Sequence, residues 1–131
     1  MAVWTFFDFV EDGENCIAIW INRELAPSEI RNVKKKLNTR LDYMAAIVHW
    51  DERFAKMLSG DCDGLFEVRF RIGRTQYRPL GCFGPGDQEV TLLIGAKEVN
   101  GHFRPLSACT TAQHRKALVM SSRRYICPHE R

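Results

Sequence analysis

The chain has 131 residues, 45% of them hydrophobic, and a formal net charge of +3 at pH 7. This length suits one domain, and this composition excludes a disordered chain, a collagen-like repeat and a disulfide-rich miniprotein. No apolar run reaches the roughly 18 residues that a membrane span needs, and the N-terminus lacks the basic segment of a secretory signal. The sequence therefore predicts a single domain over residues 1–131, in the cytoplasm and without a membrane partner.

The charge is distributed unevenly along the chain. Residues 1–65 hold 8 Lys or Arg against 11 Asp or Glu, whereas residues 66–131 hold 11 against 5, and nine of those eleven cations are arginines. The planar guanidinium fork suits phosphate oxygens, so the basic half favours a nucleic acid or another polyanion as partner. An ordinary solvated surface with uneven charge is the alternative interpretation.

The five cysteines are widely spread and form no Cys-x-x-Cys pair. This usage favours reduced thiols over a disulfide framework or a zinc site. We therefore expect neither a metal nor another cofactor.

Hydrophobic spacing in the N-terminal half predicts one strand followed by helices. The β-branched and aromatic run over residues 3–10 predicts a strand, and Ser28 is a plausible N-cap for the longest helix. The predicted helices cover residues 14–25, 29–50 and 51–58.

From residue 65 onward the apolar residues alternate instead, which predicts antiparallel strands. The predicted strands cover residues 65–72, 75–83 and 89–97, and a C-terminal helix covers residues 110–126 with Thr110 or Thr111 as N-cap. The fold class is therefore α+β, with helices on one face of the sheet and arginines on the other.

Six features of this half follow each other in a recognisable order. They are Leu65-Phe66-Glu67-Val68-Arg69, Gly73, Tyr77-Arg78, Leu92–Lys97, Pro105 and Ala112–Arg115. In this order the chain resembles the RelE/ParE toxin superfamily, and within it the HigB-like branch that is common in phage genomes. The resemblance implies a RelE-like antiparallel sheet of about four strands, with N-terminal helices on one face and a C-terminal helix.

The same resemblance implies a function. Relatives are toxins of type II toxin–antitoxin pairs, and many are metal-independent, ribosome-dependent mRNA endonucleases that inhibit translation. The implied partners are a cognate antitoxin, expected to be a helix-turn-helix protein, and ribosome-bound mRNA. Two alternatives stay open, since Glu98 stands where the family often has a second lysine. One is a non-enzymatic inhibitor like ParE, and the other is a phage or prophage binding protein that keeps the fold.

RNA cleavage of this kind needs a base for the 2′-hydroxyl, cations for the phosphate and an acid for the leaving oxygen. The candidate catalytic residues are Arg69, Arg78, Lys97 and His102. The candidate RNA-binding residues are Arg71, Arg74, Arg104, Tyr125 and His129. For Arg69 and Arg71 the competing interpretation is solvent exposure or an ion pair with Glu67 or Glu89. For Arg78 it is a structural ion pair with Glu67.

Overall fold

A computed structural model describes residues 3–131 of the chain. The elements follow in the order β1 (Thr5–Glu11), β2 (Glu14–Asn15), α1 (Cys16–Ile19), a π-helical turn (Trp20–Glu24), α2 (Pro27–Ala45), β3 (Ala55–Met57), β4 (Phe66–Val68), β5 (Phe70–Ile72), β6 (Thr75–Tyr77), β7 (Leu80–Phe83), β8 (Glu89–Ile94), β9 (Lys97–Val99), β10 (His102–Arg104), α3 (Ala108–Ser121) and β11 (Ile126–Pro128).

The strands form two sheets. The main sheet has seven strands in the order β11-β1-β8-β7-β4-β3, with β2 paired to the end of β1, and the small sheet has the order β10-β9-β6-β5. All neighbouring pairs are antiparallel except β1 and β8, which run parallel. The predicted α+β class is confirmed, but the predicted sheet of about four strands is too small.

Helices cover both faces of the main sheet, so the prediction of helices on one face only is wrong. On one face, Val33, Leu37 and Leu41 of α2 pack against Phe6 and Leu92 in the larger hydrophobic core. On the other face, the buried side of α3 packs with Phe9, Leu80 and Leu93 in a second core. Neighbouring residues of β8 point to opposite faces, and both faces are apolar. The alternation of apolar and charged residues over residues 65–72 predicted one uncovered face. It extends over only this short segment, so it does not describe the two apolar faces of β8.

The N-terminal helices begin and end differently from the prediction. The helix α2 starts at Pro27 with Ala26 as its N-cap, so Ser28 lies inside the first turn. Glu29 caps the N-terminus of α2, because its Oε1 accepts a hydrogen bond from the Ala26 amide at 3.1 Å. The helix predicted over residues 51–58 is absent, since that segment forms a turn and then β3.

All three strands predicted from residue 65 onward are broken. Residues 89–97 divide at Gly95 and Ala96, so Lys97 begins β9 of the small sheet. The other two breaks position arginines. Residues 65–72 divide at Arg69, whose amide donates to the carbonyl of Phe54, the residue before β3, at 2.8 Å. Residues 75–83 divide at Arg78 and Pro79, where proline has no amide proton for a ladder. At both points the chain passes from one sheet to the other.

The C-terminal segment also differs from the prediction. The helix α3 begins after Ser107 and ends at Ser121, after which residues 126–128 form β11 against β1. Cys62 and Cys109 are joined by a disulfide, which corrects the expectation of five reduced thiols and ties the loop before β4 to α3. In the described part of the chain, no helix is both long and apolar enough to cross a membrane.

Candidate anion-binding site

Five arginines line one open cavity of about 370 Å³ where the two sheets meet. We call this cavity the arginine pocket. Two of its arginines flank Phe70 at the start of the small sheet, one comes from α2, one from the turn before β3, and one from the break between β6 and β7. The arginines are Arg40, Arg53, Arg69, Arg71 and Arg78, and the cavity is completed by Phe54, Phe70 and Gln76.

Arg78 forms the floor of the arginine pocket and is 5% exposed. Its Nε lies 3.0 Å from Glu67 Oε2 and 3.5 Å from Glu98 Oε1, and its Nη1 donates to the Tyr77 carbonyl at 2.9 Å. Burial lowers the pKa of Arg78, and Glu67 and Glu98 oppose that shift. Burial also raises the pKa of Glu67, against the effect of the nearby guanidiniums. The predicted alternative for Arg78, a structural ion pair with Glu67, is therefore present.

Arg69 and Arg53 form the wall of the arginine pocket. Arg69 Nε lies 3.3 Å from Glu67 Oε2, and its Nη1 donates to the Glu52 carbonyl at 2.8 Å. Arg53 binds the carboxylate of Asp51 through two nitrogens, at 3.1 and 2.8 Å. These hydrogen bonds from Arg53 lower the pKa of Asp51 to about 2. Both guanidiniums are thus held in place by carboxylate or backbone acceptors.

Arg40 and Arg71 differ from the other three, because within residues 3–131 neither makes a salt bridge. The Arg40 guanidinium lies over the Phe54 ring, 4.1 Å from its centroid, and the buried Nε has no hydrogen-bond partner there. Desolvation by this burial lowers the pKa of Arg40. Arg71 projects from β5 and is exposed. The pocket therefore carries positive charge that its own carboxylates do not neutralise.

The small sheet separates the predicted site residues into two groups. Cross-strand pairs place Arg71, Gln76, Glu98 and Phe103 in one row across β5, β6, β9 and β10. Neighbouring residues on each strand point to the opposite face, so Lys97 and both ends of β10 lie away from Arg71.

The residues on that opposite face have other surroundings. Lys97 Nζ lies 3.0 Å from Glu29 Oε2 and 5.6 Å from the centre of the Tyr77 ring. His102 and Arg104 are exposed on β10. Arg74 is exposed in the turn before β6. None of these four lines the arginine pocket.

Tyr125 and His129 lie beside β1 and also outside the arginine pocket. Tyr125 stacks on Phe9 with ring centroids 6.1 Å apart. His129 Nδ1 lies 2.9 Å from both carboxylate oxygens of Asp8, and its Nε2 lies 2.9 Å from Asn38 Oδ1. This buried contact fastens the C-terminal strand to β1 and α2.

Sequence reasoning found Arg69, Arg71 and Arg78 but missed Arg40 and Arg53. Arg40 precedes the buried Leu41 on α2, so it borders the apolar stripe of that helix. This position does not tell which element the side chain meets. Arg53 likewise precedes the apolar Phe54, in a segment that was predicted to be helical.

The arginine pocket presents forked donors and no obvious proton-transfer group. No histidine, lysine, carboxylate or tyrosine is among the described residues that line it. Within residues 3–131, no group of three or more His, Cys, Asp or Glu side chains is arranged to hold a metal ion. The arrangement can therefore bind an anion with several phosphate-type oxygens. No protein-family model, curated protein or solved structure matches this chain.

Proposed function

We propose that this protein binds RNA by holding a backbone phosphate in the arginine pocket. The observation that carries the proposal is the convergence of five guanidiniums on one cavity, two of them without a carboxylate partner in the described chain. Arginine stays protonated at all physiological pH values, and its fork can donate two parallel hydrogen bonds to phosphate oxygens. A phosphate would thus complete the charge and hydrogen bonding of Arg40 and Arg71.

Two carboxylates that lie behind the lining and bind the pocket arginines support this interpretation. Glu67 lies beneath Arg69 and Arg78, where it holds both guanidiniums in position. Asp51 does the same for Arg53 from the outer side. Arginines that are already ordered lose less side-chain entropy when a ligand binds, which favours affinity. Charge repulsion among five cations is reduced at the same time.

The resemblance to RelE/ParE toxins makes the proposal more specific. The bound RNA is then message on the ribosome, and the protein acts as a toxin that inhibits translation by cleaving it. A neighbouring antitoxin, in this proposal a helix-turn-helix protein, neutralises it. Arg69 and Arg78 would stabilise charge on the scissile phosphate.

A second candidate is inhibition of translation without cleavage. One observation favours it: the described lining of the arginine pocket offers no side chain suited to general acid or base catalysis. Lys97 and His102, the two candidate catalytic residues other than arginines, lie on the other face of the small sheet. In this candidate the pocket binds RNA and blocks its use.

An in vitro translation reaction tests the function directly. Two charge-removal pairs are compared: Arg40→Gln with Arg71→Gln inside the pocket, and Arg74→Gln with Arg104→Gln outside it. We expect the wild-type chain and the outer pair to stop protein synthesis, and the inner pair to lose most of this inhibition. Mapping the 5′ ends of the message, with and without ribosomes, separates the two candidates.

Each outcome has a defined meaning. New 5′ ends that require ribosomes support the endonuclease, and inhibition with intact message supports the non-enzymatic candidate. Normal translation at saturating wild-type protein contradicts the toxin function. An equal loss of translation inhibition in the inner and the outer pair contradicts the assignment of RNA binding to the arginine pocket.

A further inference from the structure

A second cavity lies beside the arginine pocket and is lined mainly by apolar and aromatic side chains, with His49 and Glu52 as its polar members. Val48, Trp50, Met57 and Phe83 border this cavity, whose volume is about 220 Å³, and we call it the aromatic groove. Val48 is 56% exposed, Met57 49% and Phe83 37%, which places three large hydrophobic side chains of one groove in contact with solvent. Clustered exposed apolar side chains mark a binding surface more often than isolated ones do.

The rings of the aromatic groove are ordered and already stacked. Trp50 and Phe83 have ring centroids 5.4 Å apart and an interplanar angle of 12°, and Trp4 lies 5.1 Å from Phe83. The Trp50 indole N–H donates to the Met44 carbonyl at 2.9 Å, and that of Trp4 donates to the Ile47 carbonyl at 3.0 Å. Since both indole donors are used internally, neither tryptophan has a ring donor left for a ligand, and what Trp50 and Phe83 offer is ring carbon surface.

One short segment of the chain forms part of both cavities. Trp50 and Glu52 line the aromatic groove, and Arg53 and Phe54 line the arginine pocket. The Glu52 carbonyl also accepts the hydrogen bond from Arg69 Nη1. The groove and the pocket are therefore adjacent along residues 50–54, close enough for a single extended ligand to reach both.

We propose that the aromatic groove binds an unpaired base of the RNA strand whose phosphate lies in the arginine pocket. The inference rests on the proposed function and specifies its ligand as single-stranded RNA. Every base has a flat π face that can stack on an aromatic ring, so the groove needs no sequence preference. Bases inside a duplex are stacked on each other and cannot enter, so the groove selects single strands. Apolar ring faces beside clustered guanidiniums match the alternation of base and phosphate in such a strand.

The test compares a short oligoadenylate with an abasic ribose-phosphate strand of the same length. The wild-type chain should bind the oligoadenylate more tightly than the abasic strand and more tightly than a duplex of the same length. Its tryptophan fluorescence should be quenched by the oligoadenylate only.

Phe83→Leu keeps an apolar side chain but removes the ring, and the matched control is Leu106→Ala at a site that is 74% exposed elsewhere. We expect Phe83→Leu to weaken oligoadenylate binding roughly 5- to 100-fold and to leave abasic binding unchanged. The control should change neither. If Phe83→Leu fails to fold, the affinities of the wild-type chain for the two strands still test base binding in the aromatic groove.

The failures of the two proposals give different results. The wild-type chain could bind the oligoadenylate and the abasic strand with equal affinity, while Arg40→Gln with Arg71→Gln weakens the binding of both. This result overturns base binding in the aromatic groove and still supports phosphate binding in the arginine pocket. No binding of either strand overturns the proposed function itself. If the wild-type chain forms a dimer and Phe83→Leu dissociates it, the aromatic groove binds a second copy of the chain. That result overturns base binding in the groove.

Discussion

Arginines of the same pocket have different roles because their surroundings differ. Arg78 is buried against Glu67 and Glu98, so its charge is largely balanced within the protein and meets a ligand only at the floor of the pocket. Arg71 is exposed and has no carboxylate partner among the described residues, so its charge is available to a ligand. Arg69 lies between these cases, with one buried carboxylate and a side chain that is 30% exposed.

This difference predicts a large loss of stability for one substitution and almost none for another. Arg78→Ala leaves Glu67 buried without its nearest cation, so we expect it to lower the free energy of unfolding by about 3 to 5 kcal/mol. Arg71→Ala removes an exposed side chain and should change that free energy by less than about 0.5 kcal/mol. Urea unfolding followed by circular dichroism measures both. Equal unfolding free energies for wild type and Arg78→Ala would contradict the structural role of this ion pair.

The sequence predicted part of this site for physical reasons. Alternation placed Arg69 and Arg71 together, and both do line one cavity. Arg40 and Arg53 come from segments that lie next to β4 and β5 only after the chain has folded. Local periodicity carries no information about such long-range neighbours, so these two residues could not be assigned from it.

At the scale of elements, one carboxylate links the start of α2 to the small sheet. Glu29 accepts hydrogen bonds from the Ala26 amide and from the Tyr77 hydroxyl, and it forms an ion pair with Lys97. The hydrogen bond from Tyr77, followed by that from Lys97, lowers the pKa of Glu29 below its usual 4.5. Burial raises the pKa of Tyr77, and the hydrogen bond to Glu29 raises it further.

A lowered pKa in the folded chain gives a definite pH dependence. Between the folded pKa and 4.5 the unfolded chain binds more protons at Glu29, so this contribution to stability is present above pH 4.5 and is lost as pH falls through the folded pKa. Glu29→Gln should therefore cost about 1.5 kcal/mol at pH 7 and much less well below pH 4. Urea unfolding of both proteins at several pH values measures the difference. A constant difference across this range would contradict the role of Glu29.

Elements were predicted best where one periodicity extends over many residues. The helical spacing of Val33, Leu37, Leu41 and Met44 persists through α2, and the helix forms. The segment 51–58 was misassigned because Phe54 and Met57 fit helical spacing, whereas pairing with β4 makes its end a strand. Tertiary pairing overrides local preference in so short a segment.

At the scale of the whole molecule, the uneven charge is only partly reflected in the fold. Arg69, Arg71 and Arg78 come from the basic half of the sequence, but Arg40 and Arg53 come from the acidic half. The structure thus concentrates cations from both halves at the junction of the two sheets. Local concentration of charge, rather than net charge, supports the assignment of a phosphate site.

Salt dependence of RNA binding tests this assignment most directly. Each phosphate that the protein neutralises releases counterions, so the logarithm of the association constant should fall linearly with the logarithm of salt concentration. For single-stranded RNA, we expect Arg40→Gln with Arg71→Gln to weaken binding and to reduce this slope by about 0.7 for each phosphate that the variant no longer neutralises. The outer pair, Arg74→Gln with Arg104→Gln, removes the same charge and should keep the wild-type slope. A flat wild-type response, or the same change in both pairs, would contradict phosphate binding in the arginine pocket.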